Sequence, residues 1–238
     1  MLVIFLPSAR VAVANPLPVP PTYMPYENID ISIMRDSSGY SATVHGTYTL
    51  TNGGFYSLRI SFPVPPDAYN ISAKVEGDNV SWTLLENRYP TTFENFSVIE
   101  WDAEPPLFEN FILEVSYEHK LAKIGENYVF LYPLANVYSS VQWGWKPTTA
   151  NLRATLPVEC ESTLSVYFDN NPISYNSEND GNTLALAVSV TEPSDSFGRR
   201  DFIITFEGEL AWYEQPLNLA AIGIIVTALF GIAYLFRS

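Results

Sequence analysis

ATVHGTYTLTNGGFYSLRISF, Ala42 to Phe62, carries two runs of alternating side chains separated by a turn. Ala42, Val44, Gly46, Tyr48 and Leu50 alternate with Thr43, His45, Thr47 and Thr49. Successive side chains of a strand point to opposite faces, so this run is read as a strand with one buried and one solvated face. Thr51-Asn52-Gly53-Gly54 supplies turn residues, and Tyr56, Leu58, Ile60 and Phe62 resume the alternation. The same period recurs at Phe111, Leu113, Val115 and Tyr117, at Leu184, Leu186, Val188 and Val190, and at Phe202, Ile204 and Phe206. Glu76 to Asn79 and Asn179 to Asn182 read as hairpin tips. No segment before Trp212 keeps a helical period over three turns.

About ten to twelve short strands separated by turn signals give an all-β domain, most simply a β-sandwich. Pro133 to Ala150 breaks the rhythm. It either joins two small lobes, 27–132 and 151–211, or forms a long connection inside one large sandwich. Two lobes is the preferred expectation. Before them, residues 15–26 (NPLPVPPTYMPY) hold five prolines, which favours an extended spacer or an ordered arm lying along the domain.

The two ends set the expected topology. Leu217 to Phe236 (LNLAAIGIIVTALFGIAYLF) is twenty residues, about 30 Å as a helix, which matches the hydrocarbon core of a bilayer. Trp212 and Tyr213 flank one end, and Tyr234 and Phe236 close the other, as interfacial aromatics do. At the opposite terminus, Leu2 to Leu6 followed by Ala12-Val13-Ala14 resembles the end of a secretory signal over residues 1–14, although the basic segment that should precede it is missing. Together these place the β region outside the cytoplasm and make the protein a single-pass protein of the cell membrane, with 212–238 as juxtamembrane segment, span and two-residue tail. Such a tail argues against recruitment of a cytoplasmic partner.

Charge narrows the function classes. All 26 acids fall between Glu27 and Glu214, where 10 basic residues accompany them, a net of −16. Such a surface repels phosphate backbones, so nucleic acid is excluded as a partner. Cys160 is the only cysteine, flanked by Glu159 and Glu161, which would raise a thiol's pKa, and it is read as a small buried apolar residue.

The search for chemistry yields no catalytic residue, no metal ligand set and no cofactor site. There are two histidines, His45 and His119, and no HExxH, CxxC, P-loop, G-x-G-x-x-G or G-x-S-x-G. The acids are scattered as solubilising charges would be, leaving a carboxylate-based hydrolase as a remote alternative. Asn70, Asn79 and Asn95 head N-x-S sequons that an exported glycoprotein could use. Tyr138, Trp143 and Trp145 put three large rings in one loop, either a platform for a protein or glycan ligand or a plug at the end of the sandwich. Within the span, Gly223, Thr227 and Gly231 recur every fourth residue and form a face for close helix packing against a membrane-protein partner or a second copy. The expectation is therefore a non-enzymatic cell-surface binding or structural protein, with an accessory subunit of a membrane complex as the alternative.

Overall fold

The computed structural model describes residues 23–37, 39–90, 95–134, 138–139, 148–192 and 201–208. Their strands are β1 (Tyr23–Asp36), β2 (Gly39–Thr51), β3 (Leu58–Val64), β4 (Tyr69–Val75), β5 (Asp78–Asn79), β6 (Thr83–Pro90), β7 (Asn95–Ala103), β8 (Asn110–Lys120) and β9 (Ala122–Ile124). The chain continues through β10 (Asn127–Pro133), β11 (Tyr138–Ser139) and β12 (Thr148–Pro157). After a short 3-10 helix, Val158–Thr163, come β13 (Ser165–Phe168), β14 (Asn171–Pro172), β15 (Asn176–Asn179), β16 (Thr183–Glu192) and β17 (Asp201–Glu207). The described residues are all-β, with strands more numerous and often shorter than the alternation suggested. Among them no helix is long and apolar enough to cross a membrane. The expected span at 217–236 and the expected signal at 1–14 lie outside the described residues.

The strands form an eight-stranded sheet in the order β15-β16-β12-β1-β2-β8-β4-β5, a five-stranded sheet β14-β13-β17-β10-β9, and a four-stranded sheet β11-β3-β7-β6. Alternation explains the layering. Ile29, Ile31 and Ile33 of β1, Ala42, Val44, Tyr48 and Leu50 of β2, and Phe111, Leu113, Val115 and Tyr117 of β8 all point to one buried face. That face meets Leu58, Ile60 and Phe62 of the four-stranded sheet and Phe130, Tyr132, Ile204 and Phe206 of the five-stranded sheet in one continuous core. Aromatic rings bridge the layers edge to face: Tyr48 on Phe62 at 5.4 Å between centroids, and Tyr40 on Phe206 at 5.0 Å. A second, smaller cluster of Phe96, Val129, Leu131 and Ile203 sits between the two small sheets.

The strand pairing does not follow the expected lobes at 27–132 and 151–211. Strand β1 pairs antiparallel with β2, and parallel with β12 from Tyr26↔Thr149 to Ser32↔Thr155. Strand β10 likewise pairs with β17. Both halves of the chain therefore share two sheets and one core, because each half alone would leave sheet edges unpaired. The expected spacer at 15–26 and connection at 133–150 are also trimmed: Tyr23 to Tyr26 belong to β1, Pro133 to β10, and Thr148 to Ala150 to β12.

The turn at Thr51 to Gly54 joins layers and does not close a hairpin, since β2 and β3 lie in different sheets. By contrast Glu76-Gly77 closes the β4–β5 hairpin, with both residues at positive φ (52° and 85°), as a type I′ turn requires. Asn179 to Asn182 turn β15 into β16.

Inside the core, Tyr48 and Tyr132 share a 2.5 Å hydrogen bond between their hydroxyls. Glu27, also buried, is the register partner of Tyr48. Burial, then the neighbouring Tyr48 and Glu27, hold the Tyr132 phenol well above its ordinary pKa, so it stays protonated and able to donate. Gly46 makes room for this arrangement: a Cβ there would collide with the Tyr48 hydroxyl and ring. His119 is buried on the inner face between the rings of Tyr117 and Phe130, with Nδ1 3.0 Å from the carbonyl of Lys120.

Two outcomes follow from this core. Gly46→Ala forces Tyr48 off its site, and thermal unfolding of the full chain in detergent should show a loss of about 1–3 kcal/mol. Burial lowers the His119 pKa, while Asp67 and the Lys120 carbonyl oppose this more weakly. The unfolded chain, with its histidine near ~6.5, then binds a proton that the folded chain refuses. Stability from this group is complete above that pH and declines as pH falls below it. A melting series from pH 7.5 to 5 should show the decline, and His119→Phe should flatten it.

Candidate binding face of the eight-stranded sheet

The second face of the large sheet carries the alternate residues of the same strands, and no other described strand packs over it. Its side chains fall into transverse rows fixed by register. One row runs Asn176 (β15), Ala187 (β16), Arg153 (β12), Asp30 (β1), His45 (β2), Ser116 (β8) and Ser72 (β4). The next runs Glu178, Ala185, Thr155, Ser32, Thr43 and Glu118. On the other side lie Ser189, Asn151, Asn28, Thr47, Glu114 and Lys74.

The rows differ in how their polar groups are used. Asn151 donates to Asn28 Oδ1 at 3.0 Å and accepts from Ser189 Oγ at 2.9 Å. Lys74 pairs with Glu114 at 3.6 Å, and the hydroxyls of Ser72 and Ser116 lie 3.0 Å apart. Arg153, Asp30, His45, Asn176 and Glu178, all exposed, make no side-chain hydrogen bond or ion pair among the described residues.

These uncommitted groups line a groove of about 650 Å³, floored by Ala185 and Ala187 and continuous through Asp30, Arg153 and Asn176 with a second depression of about 430 Å³. The groove exists because β16 presents alanines where its neighbours present long side chains. Strands are about 4.8 Å apart, so Arg153 stands one strand from Asp30 and, across β16, about two strands from the β15 carboxylate of Glu178. A guanidinium offers a bidentate fork to a carboxylate, and the two acids would accept donors or an ammonium group. Among the described residues no group of three or more His, Cys, Asp or Glu side chains is arranged to hold a metal ion.

The residues singled out by sequence are not brought into this groove. Asn70 and Asn79 are exposed on β4 and β5, with the Asn70 amide donating to Glu118 at 3.0 Å. Asn95 opens β7 in a different sheet, and its sequon serine, Ser97, is buried. Tyr138 starts β11, paired with Ser61. Trp143, Trp145, Gly223, Thr227 and Gly231 lie outside the described residues. Cys160 is buried in the 3-10 helix near Tyr40, whose pKa is raised chiefly by burial. In the sequence the acids, Asp30 and Glu178 among them, read as scattered solubilising charges and Arg153 carries no signal, and the one local mark of a groove is the outward A-x-A-x-S of β16, Ala185 to Ser189.

No protein-family model matches the chain, and no curated protein matches it in sequence. Its fold does have counterparts among solved structures. A Legionella pneumophila protein, provisionally described as nutrient-binding, superimposes with a TM-score of 0.55 at 12% identity, over 79% of this chain and 68% of its own. That likeness shows a shared fold. A zinc metallopeptidase of the M1 group from Deinococcus radiodurans gives a TM-score of 0.45 at 12% identity, over 77% of this chain and 42% of the enzyme. Leukotriene A4 hydrolase from Saccharomyces cerevisiae gives 0.45 at 12% identity, over 78% of this chain and 29% of that one. This chain thus spans less than half the length of either enzyme.

Proposed function

We propose that this chain is a membrane-anchored cell-surface protein whose β domain binds a ligand, without chemical turnover, on the outer face of its eight-stranded sheet. The observation that carries the binding role is the set of uncommitted charged and amide side chains that two adjoining rows place over an alanine floor, beside a row whose polar groups are spent on one another. Groups of opposite sign across one groove suit a zwitterion, with a carboxylate on Arg153 and an ammonium group toward Glu178 or Asp30. Amino acids and short peptides have this chemistry. The anchoring role rests on the twenty-residue apolar segment Leu217 to Phe236 and its aromatic flanks. In this arrangement the N-terminal region is extracytoplasmic, the C-terminus is cytoplasmic, and the bilayer is the protein's constant partner.

A second reading has its own support. The stripe Gly223, Thr227 and Gly231 allows close backbone approach inside the bilayer, where apolar burial no longer drives helices together. The chain would then be an accessory subunit, or a homodimer, assembled through its span.

Two measurements separate these readings. With the full chain in nanodiscs and a mixture of zwitterionic dipeptides as probe, saturation-transfer NMR should detect binding, and Arg153→Ala should weaken it at least about tenfold by removing a charge-assisted pair. Lys74→Ala, on the same face but outside the groove, should leave it unchanged. Equal binding by the Arg153 variant, or hydrolysis of the dipeptides, would sink the groove proposal. For the second reading, Gly223→Leu combined with Gly231→Leu should abolish co-purification of a membrane partner or a second copy after mild detergent extraction. Unchanged assembly would count against it.

A further inference from the structure

The end of the sandwich at which β2 finishes carries a built feature that the groove does not use. Asn52 is buried there and acts as a staple between two loops. Its Oδ1 accepts from the backbone N–H groups of Gly54 (3.0 Å) and Phe55 (2.9 Å). Its Nδ2 donates to the carbonyls of Phe55 (2.9 Å), Pro106 (2.9 Å) and, more weakly, Pro105 (3.3 Å). Its own N–H donates to the Glu109 carbonyl at 2.9 Å. Residues 52–57 and 104–109 are thereby fixed to each other.

What the staple holds out is aromatic. Tyr56 is 82% exposed and Phe108 is 67% exposed. Phe108 has φ of 61°, a left-handed conformation uncommon for a bulky residue, and its ring lies where a Cβ on Gly54 would have to be. A strained residue of this kind persists only when its surroundings over-determine it, and such residues gather at functional sites. A fixed loop bearing large rings loses little entropy on docking, the economy that rigid aromatic anchors give a paratope.

We propose that this tip docks a partner protein whose surface is apolar at the centre and basic at the rim. Glu104 and Glu109 are the charged residues of the two loops, with no base among residues 52–57 and 104–109, and the nearby Arg59 is paired with Asp102 at 3.1 Å. A second copy of this acidic chain would bring like charges together, and an anionic bilayer would repel the tip for the same reason. A glycan fits less well, because the amides that would read its hydroxyls are engaged, Asn52 in the staple and Asn110 Oδ1 with Thr51 Oγ1 at 2.6 Å, which leaves the loops the hydroxyls of Tyr56 and Ser57. The tip is also remote from the C-terminal end of the domain. Gly208 lies against Tyr40 and Tyr128 at the start of β2, whereas Asn52 follows the last residue of that thirteen-residue strand, about 40 Å away. In the anchored arrangement proposed above, the tip points away from the bilayer.

The test uses the full chain in its native membranes, with photoreactive benzoylphenylalanine in place of Tyr56 and, as a control, in place of Ile124, which is exposed near the Gly208 end. The expected result is one cross-linked protein from position 56, none of it from position 124, and a yield that falls in about 0.5 M salt. The captured protein, purified, should bind the full chain at least tenfold more weakly after Tyr56→Ala, and also after Phe108→Asn, which keeps a residue tolerant of positive φ while removing the ring. Unchanged melting temperatures would show that both variants fold. Cross-links to lipid, to glycan or to another copy of this chain would overturn the proposal. So would no cross-link, or affinity unchanged in the folded variants.

Discussion

Strand β1 is paired along both edges, antiparallel with the strand that follows it and parallel with one more than a hundred residues later. Most of the structure depends on that double pairing. Parallel pairing requires a long crossover, and here the crossover is β2 through β11, which supplies all of the four-stranded sheet and β9 and β10 of the five-stranded one. Remove the β1–β12 ladder and the large sheet parts into β15-β16-β12 and β1-β2-β8-β4-β5, each with a bare edge and an apolar face only partly covered.

The same ladder makes the candidate binding face. Asp30 and Arg153 are 123 positions apart in the chain and face each other only because Asp30 is in register with Arg153. A one-residue slip of either strand would turn its charged side chain into the core and expose an isoleucine of β1 or an alanine of β12 in its place. The continuous apolar face beneath, with Ile29, Ile31, Leu152 and Ala154 buried, is therefore what fixes the polar groove above. Fold stability and surface chemistry are two sides of one register.

Polar groups inside the core follow a different logic. Glu27, Tyr48, Tyr132, Tyr117 and His119 are buried among aliphatic and aromatic side chains. Burying them costs free energy unless they are hydrogen-bonded, and the Tyr48–Tyr132 bond, with Gly46 vacating space for it, is one such compensation. At the loop end Asn52 does comparable work for the backbone, satisfying in one side chain the turn that carries the chain from one layer to the other. Both devices use a residue that is small or polar where the pattern alone asks for an apolar side chain.

Much of the strand content was legible in the sequence. Ala42 to Leu50 and Phe111 to Tyr117 are strands with the expected faces buried, because a period of two is a local property. The hairpin tips at Glu76-Gly77 and Asn179 to Asn182 were legible for the same reason, since positive φ and side-chain capping are set by neighbouring residues. The partition into lobes was not, because it depends on which strands pair, and β1–β12 and β10–β17 contacts leave no local mark. Nor was His119, whose strand-end position hid its burial between Tyr117 and Phe130. The groove and the aromatic tip are likewise products of register and of one asparagine joining distant loops. By itself the sequence determined strand periodicity, turn chemistry and charge, which are local or additive. Tertiary structure alone decided which polar groups are spent on one another and which are left uncommitted, because that depends on which strands pair and in what register.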